Sequence, residues 1–321
     1  MRLNPFAEKL LMKLQYEFPL SLTPYLDVAE ELNASEKMVL TELKRLVEAG
    51  IVKRVGFYYN YRSKRQSAAL IGVSCKESYR SVGEITKKDP LTTHSYLRDH
   101  PEVNLWVVAR RGSREELISY AEELAKACNS SKYTVLFSKK TFKLSVKFDL
   151  IEGVSRSGPY SSVAESPPKP EDLGIDPRLP EMVRSLPLEN RPYKTIAERL
   201  NMREDEVLES LLKLLKNGIL GDPGVALDGK KLGFSENAMI VVRVDGSEEK
   251  MLCLASIPYT THVVLREVYP PGSWDFDGYA MVHATSRDKI NKVINETSSL
   301  CSLAQKEVLF SIEDLKPEVV R

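Results

Sequence analysis

The sequence predicts an internally duplicated α+β chain, and three observations predict it. The first is self-similarity at one offset. Pro19-Leu20, Pro24-Tyr25, Ala29, Leu32-Asn33, Glu36, Val39, Leu43, Leu46 and Gly50-Ile51 recur 168 residues later as Pro187-Leu188, Pro192-Tyr193, Ala197, Leu200-Asn201, Glu204, Val207, Leu211, Leu214 and Gly218-Ile219. The offset persists through Pro90, Thr92-Thr93-His94, Leu97 and Arg98, matched by Pro258, Thr260-Thr261-His262, Leu265 and Arg266. A five-residue insertion then shifts the register, and Val108, Ser113-Arg114, Cys128 and Val135-Leu136-Phe137-Ser138 meet Met281, Ser286-Arg287, Cys301 and Val308-Leu309-Phe310-Ser311. The second observation is that within each copy the apolar periodicity changes from helical to strand-like. The third is size, since 321 residues exceed what one core usually organises.

Taken in order, Tyr25 to Leu32 carries apolar residues at helical spacing, Asn33-Ala34-Ser35 breaks it, and Val39, Leu40, Leu43, Leu46 and Val47 resume it. Two helices across a tight turn make a helix-turn-helix, which occurs twice. Each copy continues with an apolar strand (Ala68 to Cys75; Ala238 to Val244) and, in the first copy, a helix near Val82 to Lys88. Strands at His94 to Arg98 and Leu105 to Arg110, a long helix at Arg114 to Ala127 and a strand at Tyr133 to Ser138 complete a βαββαβ unit. The predicted class is therefore α+β, each copy a winged helix-turn-helix followed by a ferredoxin-like βαββαβ domain. The boundaries read as 1–62 and 63–150 for the first copy, 151–175 for a linker, and 176–232 and 233–321 for the second. Glu152 to Pro187 holds seven of the 18 prolines and reads as an extended tether, with Asp176 to Leu186 opening the second copy as a helix.

Composition excludes several classes. Hydrophobic residues at 42%, charged ones at 28% and a mean hydropathy of −0.27 suit a globular chain and not a membrane protein. Lys+Arg 46 against Asp+Glu 45 leaves +1, with no electrostatic excess to draw the chain onto nucleic acid. Met1 to Leu14 has no apolar run of signal-peptide length and no window approaches 18 apolar residues, which suggests a cytoplasmic location, while Cys75, Cys128, Cys253 and Cys301 form no CxxC pair, which suggests reduced thiols and no thiolate metal site.

Helix-turn-helix motifs raise DNA binding first. The second helix argues against it: Ser35 to Ala49 is neutral overall, and Arg203 to Asn217 sets Glu204, Asp205, Glu206 and Glu209 against three basic residues. After it the first copy has Lys53, Arg54, Arg62, Lys64 and Arg65 interleaved with Phe57, Tyr58, Tyr59 and Tyr61, where the second has Gly221-Asp222-Pro223 and Lys230-Lys231. A solvated basic hairpin, an anion site and DNA-backbone contact all fit that cluster.

The strand motif is sharper. Alternation puts His94, Tyr96 and Arg98 on one face, and His262, Val264 and Arg266 on the matching one. Two of four histidines thus occupy one equivalent position. The next strand adds Trp106, Val108 and Arg110, matched by Tyr279, Met281 and His283. In the second copy the intervening hairpin is longer and carries Tyr269, Trp274 and Phe276, which could cover a flat ligand or pack one half on the other.

At these residues the chain resembles the siroheme decarboxylases, paired Lrp/AsnC-like proteins of the siroheme-dependent haem pathway with relatives in haem d1 formation. Thr93-His94-Ser95-Tyr96-Leu97-Arg98-Asp99-His100, Asn104-Leu105-Trp106 and Phe142-Lys143-Leu144 are similar to the A-type subunit. Gly233-Phe234-Ser235-Glu236-Asn237-Ala238-Met239, Trp274 and Met281-Val282-His283 are similar to the B-type subunit. The second copy departs from the B-type pattern at Gly221-Asp222-Pro223, Gly229-Lys230 and Val263-Val264, so the halves are not equivalent.

The resemblance implies a fused A–B chain, a pseudo-heterodimer in one polypeptide that leaves further homodimerisation open. It implies a lyase converting siroheme to 12,18-didecarboxysiroheme without added cofactor, the iron belonging to the substrate, and helix-turn-helix parts that are vestigial or structural. Siroheme is a flat polycarboxylate, and arginine suits it because its planar fork meets a carboxylate bidentately. The implied catalytic residues are His94, Arg98 and His262; the implied substrate-binding residues are Arg54, Arg62, Tyr96, Trp106, Arg110, Arg266, Trp274, Tyr279 and His283. His94, with His262 as counterpart, is a general acid for the new methyl group or an axial ligand to the iron. The alternatives are a Lrp/AsnC-type DNA-binding regulator sensing a small molecule or haem, and a tetrapyrrole-binding protein without catalysis.

Overall fold

The computed structural model describes residues 3–159 and 161–317. In the first copy the elements are α1 (Pro5–Tyr16), α2 (Pro24–Glu31), α3 (Glu36–Glu48), β1 (Val52–Tyr59), β2 (Ser67–Val73), α4 (Tyr79–Lys88), β3 (Thr92–Arg98), β4 (Leu105–Arg111), α5 (Arg114–Ala127) and β5 (Tyr133–Leu144). Short strands β6 (Lys147–Asp149) and β7 (Val154–Arg156) follow. The second copy has α6 (Leu179–Met182), α7 (Pro192–Leu200), α8 (Glu204–Lys216), β8 (Leu220–Leu227), β9 (Glu236–Val242), α9 (Glu248–Ser256), β10 (His262–Tyr269), β11 (Gly278–Ala284), α10 (Arg287–Leu300) and β12 (Lys306–Asp314). Caps fix the helix starts where the sequence supplies them: the Ser35, Ser113 and Ser286 hydroxyls accept from the backbone N–H of Met38, Glu116 and Lys289.

The chain does not divide into its two copies. One compact unit joins the residues up to Lys64 with Leu144–Ser235, and the other joins Arg65–Lys143 with the residues from Glu236 onward. Like parts of the two copies have paired with each other.

In the first unit, α2–α3 and α7–α8 are the two helix pairs, and β1 and β8 form an antiparallel ribbon across the repeat, with Val55 opposite Val225. Tyr25, Leu43, Leu46, Phe57, Tyr193, Leu211 and Leu214 share its core. The helix expected over Asp176 to Leu186 shrinks to α6, because the backbone beyond it bonds to β1: Phe57 N–H donates to Val183 O and Leu186 N–H to Val55 O. Gly56 makes this approach possible, since a Cβ there would sit 2.5 Å from the Val183 and Arg184 carbonyl oxygens. The proline-rich stretch between the copies is likewise tied to the unit. Just ahead of it the Gln15 amide exchanges two hydrogen bonds with the Phe148 backbone, and within it Ala164 O accepts from Asn60 Nδ2.

In the second unit each copy gives a four-stranded antiparallel sheet in the order last, first, third, second: β5-β2-β4-β3 and β12-β9-β11-β10. Helices α4 and α5 cover the outer face of the first sheet over Ala69, Ile71, Val73, Leu105, Val107 and Ala109. The two sheets join at both edges, β3 against β12 and β10 against β5, so eight strands close on themselves. The enclosed face carries Leu70, Trp106, Leu136, Met239, Val241, Tyr279 and Leu309.

Both seams are fastened by the same pair of side chains, related by the repeat. Arg98 Nη1 donates to Leu309 O at 2.9 Å, and Arg266 Nη1 to Leu136 O at 3.0 Å. Lys143 Nζ donates to Ile257 O, just past α9, and Lys316 Nζ to Asp89 O, just past α4. Each lysine thus caps the helix that follows the first strand of the opposite copy's sheet, α9 or α4, at the end where the helix dipole is negative.

The expectation of reduced thiols is corrected. Cys75 is bonded to Cys128 and Cys253 to Cys301, with Cα–Cα separations of 4.9 and 5.7 Å. No local motif announces them because the partners lie 53 and 48 residues apart and meet only when the helix after the third strand folds over its sheet. Both bridges anchor the C-terminal end of that helix, α5 to the strand exit at Cys75 and α10 to α9. The cysteines therefore give no ground for a reducing compartment. Among the described residues no helix is long and apolar enough to cross a membrane.

Lys143 yields a pH prediction. Burial pulls its ammonium down from its ordinary 10.5 to about 8. Below that value the folded state carries the full cost of the charge; as pH rises toward 10.5 the unfolded chain keeps a proton that the folded one has lost, so stability rises. In denaturant melts, the stability difference between the unmodified chain and K143M is expected to grow in favour of the former from about pH 7 to about pH 9.5; a flat difference contradicts it.

Candidate functional site

The inner face of the closed sheet collects most of the residues singled out by sequence. His94 lies opposite Val108, and Tyr96 opposite Trp106, so strand pairing puts all four on that face. The His94 and Tyr96 rings are 6.2 Å apart, and the Arg98 guanidinium lies 5.2 Å from the Tyr96 centroid. His94 is half-buried whereas Arg98 is 3% exposed, so accessibility falls along β3 from the histidine to the arginine. Both groups flank the Tyr96 ring, the imidazole toward the more open end of β3 and the guanidinium toward the buried one.

The two imidazoles are held alike. His94 Nδ1 is 2.9 Å from Thr93 Oγ1, which donates to Val108 O, and His262 Nδ1 is 3.4 Å from Thr261 Oγ1, which donates to Met281 O. A carbonyl only accepts, so each hydroxyl spends its proton there and accepts Nδ1–H from the ring. The neutral imidazole then carries its lone pair at Nε2. Protonation at Nε2 leaves the Thr–His bond unchanged, as a group that takes up and releases a proton, or one that ligates a metal, requires.

His283 is held the opposite way. It faces Asn237 across β11 and β9, and Asn237 Nδ2 is 3.2 Å from His283 Nδ1. His100, outside the predicted site, accepts the Glu102 and Val103 backbone N–H groups at Nδ1 and faces Glu307 with Nε2.

Arg98 and Arg266 are committed to the protein. Besides Leu309 O, Arg98 donates from Nη2 to Asn237 Oδ1 at 3.2 Å, and among the described residues no carboxylate pairs with it. Burial lowers its pKa to about 10, which leaves it charged at neutrality. Arg266 lies 5.3 Å over the Tyr279 ring. Arg110, half-buried on β4, faces Ala68.

The aromatic residues fill the interior more than they line an opening. Trp106 and Tyr279 are 1% and 3% exposed. Trp274, from the longer hairpin of the second copy, packs edge-on against Trp106, His100 and Phe276 at 5.2, 5.1 and 5.5 Å. Burial raises the Tyr279 phenol far above its ordinary value, so that hydroxyl stays protonated and donates to Phe276 O.

Arg54 and Arg62 belong to the first unit. Arg54 Nη1 donates to the Phe57 and Arg184 carbonyls, and Arg62 pairs with Glu165 at 3.1 Å. Sequence reasoning missed the roles of Thr93, Thr261 and Asn237. The threonines were visible beside both histidines; for Asn237 the signal was its mismatch with the repeat, which has Ala68 at that place. Among the described residues no cluster of three or more His, Cys, Asp or Glu side chains could hold a metal ion.

The model of the AsnC-like ligand binding domain matches residues 66–143 and 231–316, and that of the siroheme decarboxylase NirDL-like HTH domain matches 7–52 and 179–220. The chain is 27% identical over 314 residues to a siroheme decarboxylase of Hydrogenobacter thermophilus, covering 96% of this chain and 92% of that one. It is 28% identical over 321 residues to the siroheme decarboxylase NirDL subunit of Paracoccus pantotrophus, covering 97% and 95%. Its fold matches the crystal structure of the siroheme decarboxylase NirDL in complex with an iron-uroporphyrin III analogue, with a TM-score of 0.65 at 24% identity over 97% of this chain and 92% of the other.

Removing the Trp274 ring tests the packing role. W274A is expected to cost about 1–3 kcal/mol in denaturant unfolding, because the half-buried ring is the shared partner of Trp106, His100 and Phe276. A cost below about 1 kcal/mol would mean that the hairpin does not seat as described.

Proposed function

The chain belongs to the AsnC-like ligand-binding-domain family, and from that membership we propose that it is a siroheme decarboxylase, a carbon–carbon lyase that removes two ring acetates as carbon dioxide. The observation that carries the reading is the threonine-held imidazole, present at equivalent places in both sheets with Nε2 bearing the lone pair. Likeness from end to end to proteins so named supports it.

Decarboxylation leaves an electron pair on the carbon beside the ring, which the macrocycle accepts, and a proton must then be supplied. His94, with His262 as its counterpart, takes up a proton from solvent at Nε2 and, as the imidazolium, delivers it to that carbon, its ring held through Nδ1 by Thr93. Either imidazole also suits axial contact with the substrate's iron. Arg110 and His283, half-buried on the inner face, meet ring carboxylates, and Arg98 and Arg266 act as positioning residues from the seams. Arg54 and Arg62, whose guanidinium groups already bond to the Phe57 and Arg184 carbonyls and to Glu165, remain candidates for further ring carboxylates. No added cofactor is required, since the iron comes with the substrate.

We read the units as winged helix-turn-helix and ferredoxin-like domains, the halves standing for two subunits fused in one chain. The helix-turn-helix unit is structural in this account, and a cytoplasmic location rests on composition and not on the cysteines.

Anaerobic incubation with siroheme, followed by mass spectrometry, tests the reading. Two successive losses of carbon dioxide are expected. H94A is expected to slow turnover by about 10²–10⁴-fold with its fold intact by circular dichroism. An absorption shift of the ring without any loss would replace the enzyme with a binding protein, and normal rates in H94A would remove His94 from the chemistry.

A further inference from the structure

The two seams of the second unit are built alike except at one position. At the seam of β3 and β12, Arg98 Nη2 donates to Asn237 Oδ1 and Asn237 Nδ2 reaches His283 Nδ1, both at 3.2 Å. At the other seam the repeat gives Arg266 in place of Arg98, Ala68 in place of Asn237, and Arg110 in place of His283, with Ala68 opposite Arg110 as Asn237 is opposite His283. Alanine offers nothing to relay.

We propose that Asn237 is a positioning residue that locks His283 as a neutral Nε2–H donor toward a carboxylate of the bound ring, making the two halves of the barrel chemically different. An arginine side chain only donates, so the amide oxygen must face Arg98 and the amide nitrogen must face His283. That nitrogen only donates, so Nδ1 of His283 accepts and the ring proton sits on Nε2. The buried Arg98 cannot reverse its polarity, and it is itself fixed by Leu309 O. The order of the relay is therefore set from the seam outward: carbonyl, guanidinium, amide, imidazole. His94 and His262, whose Nδ1 atoms donate to threonine, carry their lone pair at Nε2; His283 carries a proton there. One half of the barrel meets carboxylates with Arg110, and the other with a neutral donor of fixed direction.

This inference rests on the proposed siroheme chemistry for its ligand, and its test separates the two. The full chain, labelled with ¹⁵N-histidine, reports the His283 tautomer by NMR, H283Q assigning the signal. A polycarboxylate iron porphyrin, iron-uroporphyrin III, serves as binding probe through its Soret absorbance. The expected result is an Nε2–H tautomer in the unmodified chain, inverted to Nδ1–H in N237D, where a carboxylate accepts from both neighbours and the Arg98 contact survives. Affinity for the probe is expected to fall about ten- to a hundredfold in N237D, N237A and H283Q, and no further in the N237D/H283Q double variant. An Nδ1–H tautomer in the unmodified chain, or full affinity in N237D, would overturn the proposal. Absence of carbon dioxide loss in the unmodified chain would instead overturn the decarboxylase reading, while tautomer and probe affinity still decide the role of Asn237.

Discussion

Two guanidinium groups close the second unit, and the arrangement of its inner face depends on them. Each sheet alone would leave two edges with unpaired backbone groups. Pairing the sheets edge to edge removes those edges, and Arg98 and Arg266 fasten the joints by donating to Leu309 O and Leu136 O, the same residue of the repeat seen from either side. A buried charge is costly, and here a carbonyl, an amide oxygen, the face of a tyrosine ring and the nearby Asp99 and Asp314 carboxylates offset that cost for Arg98. Lys143 and Lys316 repeat the device one layer out, on the helix ends.

Closure also gives the duplication its chemical use. A symmetric barrel would present the same groups twice. The backbone scheme and the Thr–His pairs are indeed kept in both halves, whereas the row across from each arginine diverges into Asn237 and His283 in one half and Ala68 and Arg110 in the other. Similar walls with different donors suit a substrate that is flat, carboxylate-rich and unequal around its rim.

Much of this was legible in the sequence. The repeat, the helix pairs and the strands holding His94, Arg98, His262 and Arg266 follow from periodicity and offset. Three things were not legible, each because it depends on residues far apart in the chain. Cysteines separated by 53 and 48 residues carry no spacing signal. The helix expected after Asp176 yields to backbone pairing with Val55 and Phe57, which lie in the other copy. Arg98 shares a face with His94 as alternation demands, but its acceptor is a main-chain carbonyl on β12, invisible to any side-chain pattern. That is why the sequence, from which Arg98 reads as a catalytic residue, does not show that it also fastens a seam.

Amide hydrogen exchange on R98M tests most directly whether the arginines hold the barrel shut. The account predicts that amides of β3 and β12 lose protection by about tenfold or more while those of β5 and β10 keep theirs, since the second seam retains Arg266. Unchanged protection in β3 and β12 would contradict it and would mean that strand pairing alone closes the sheet.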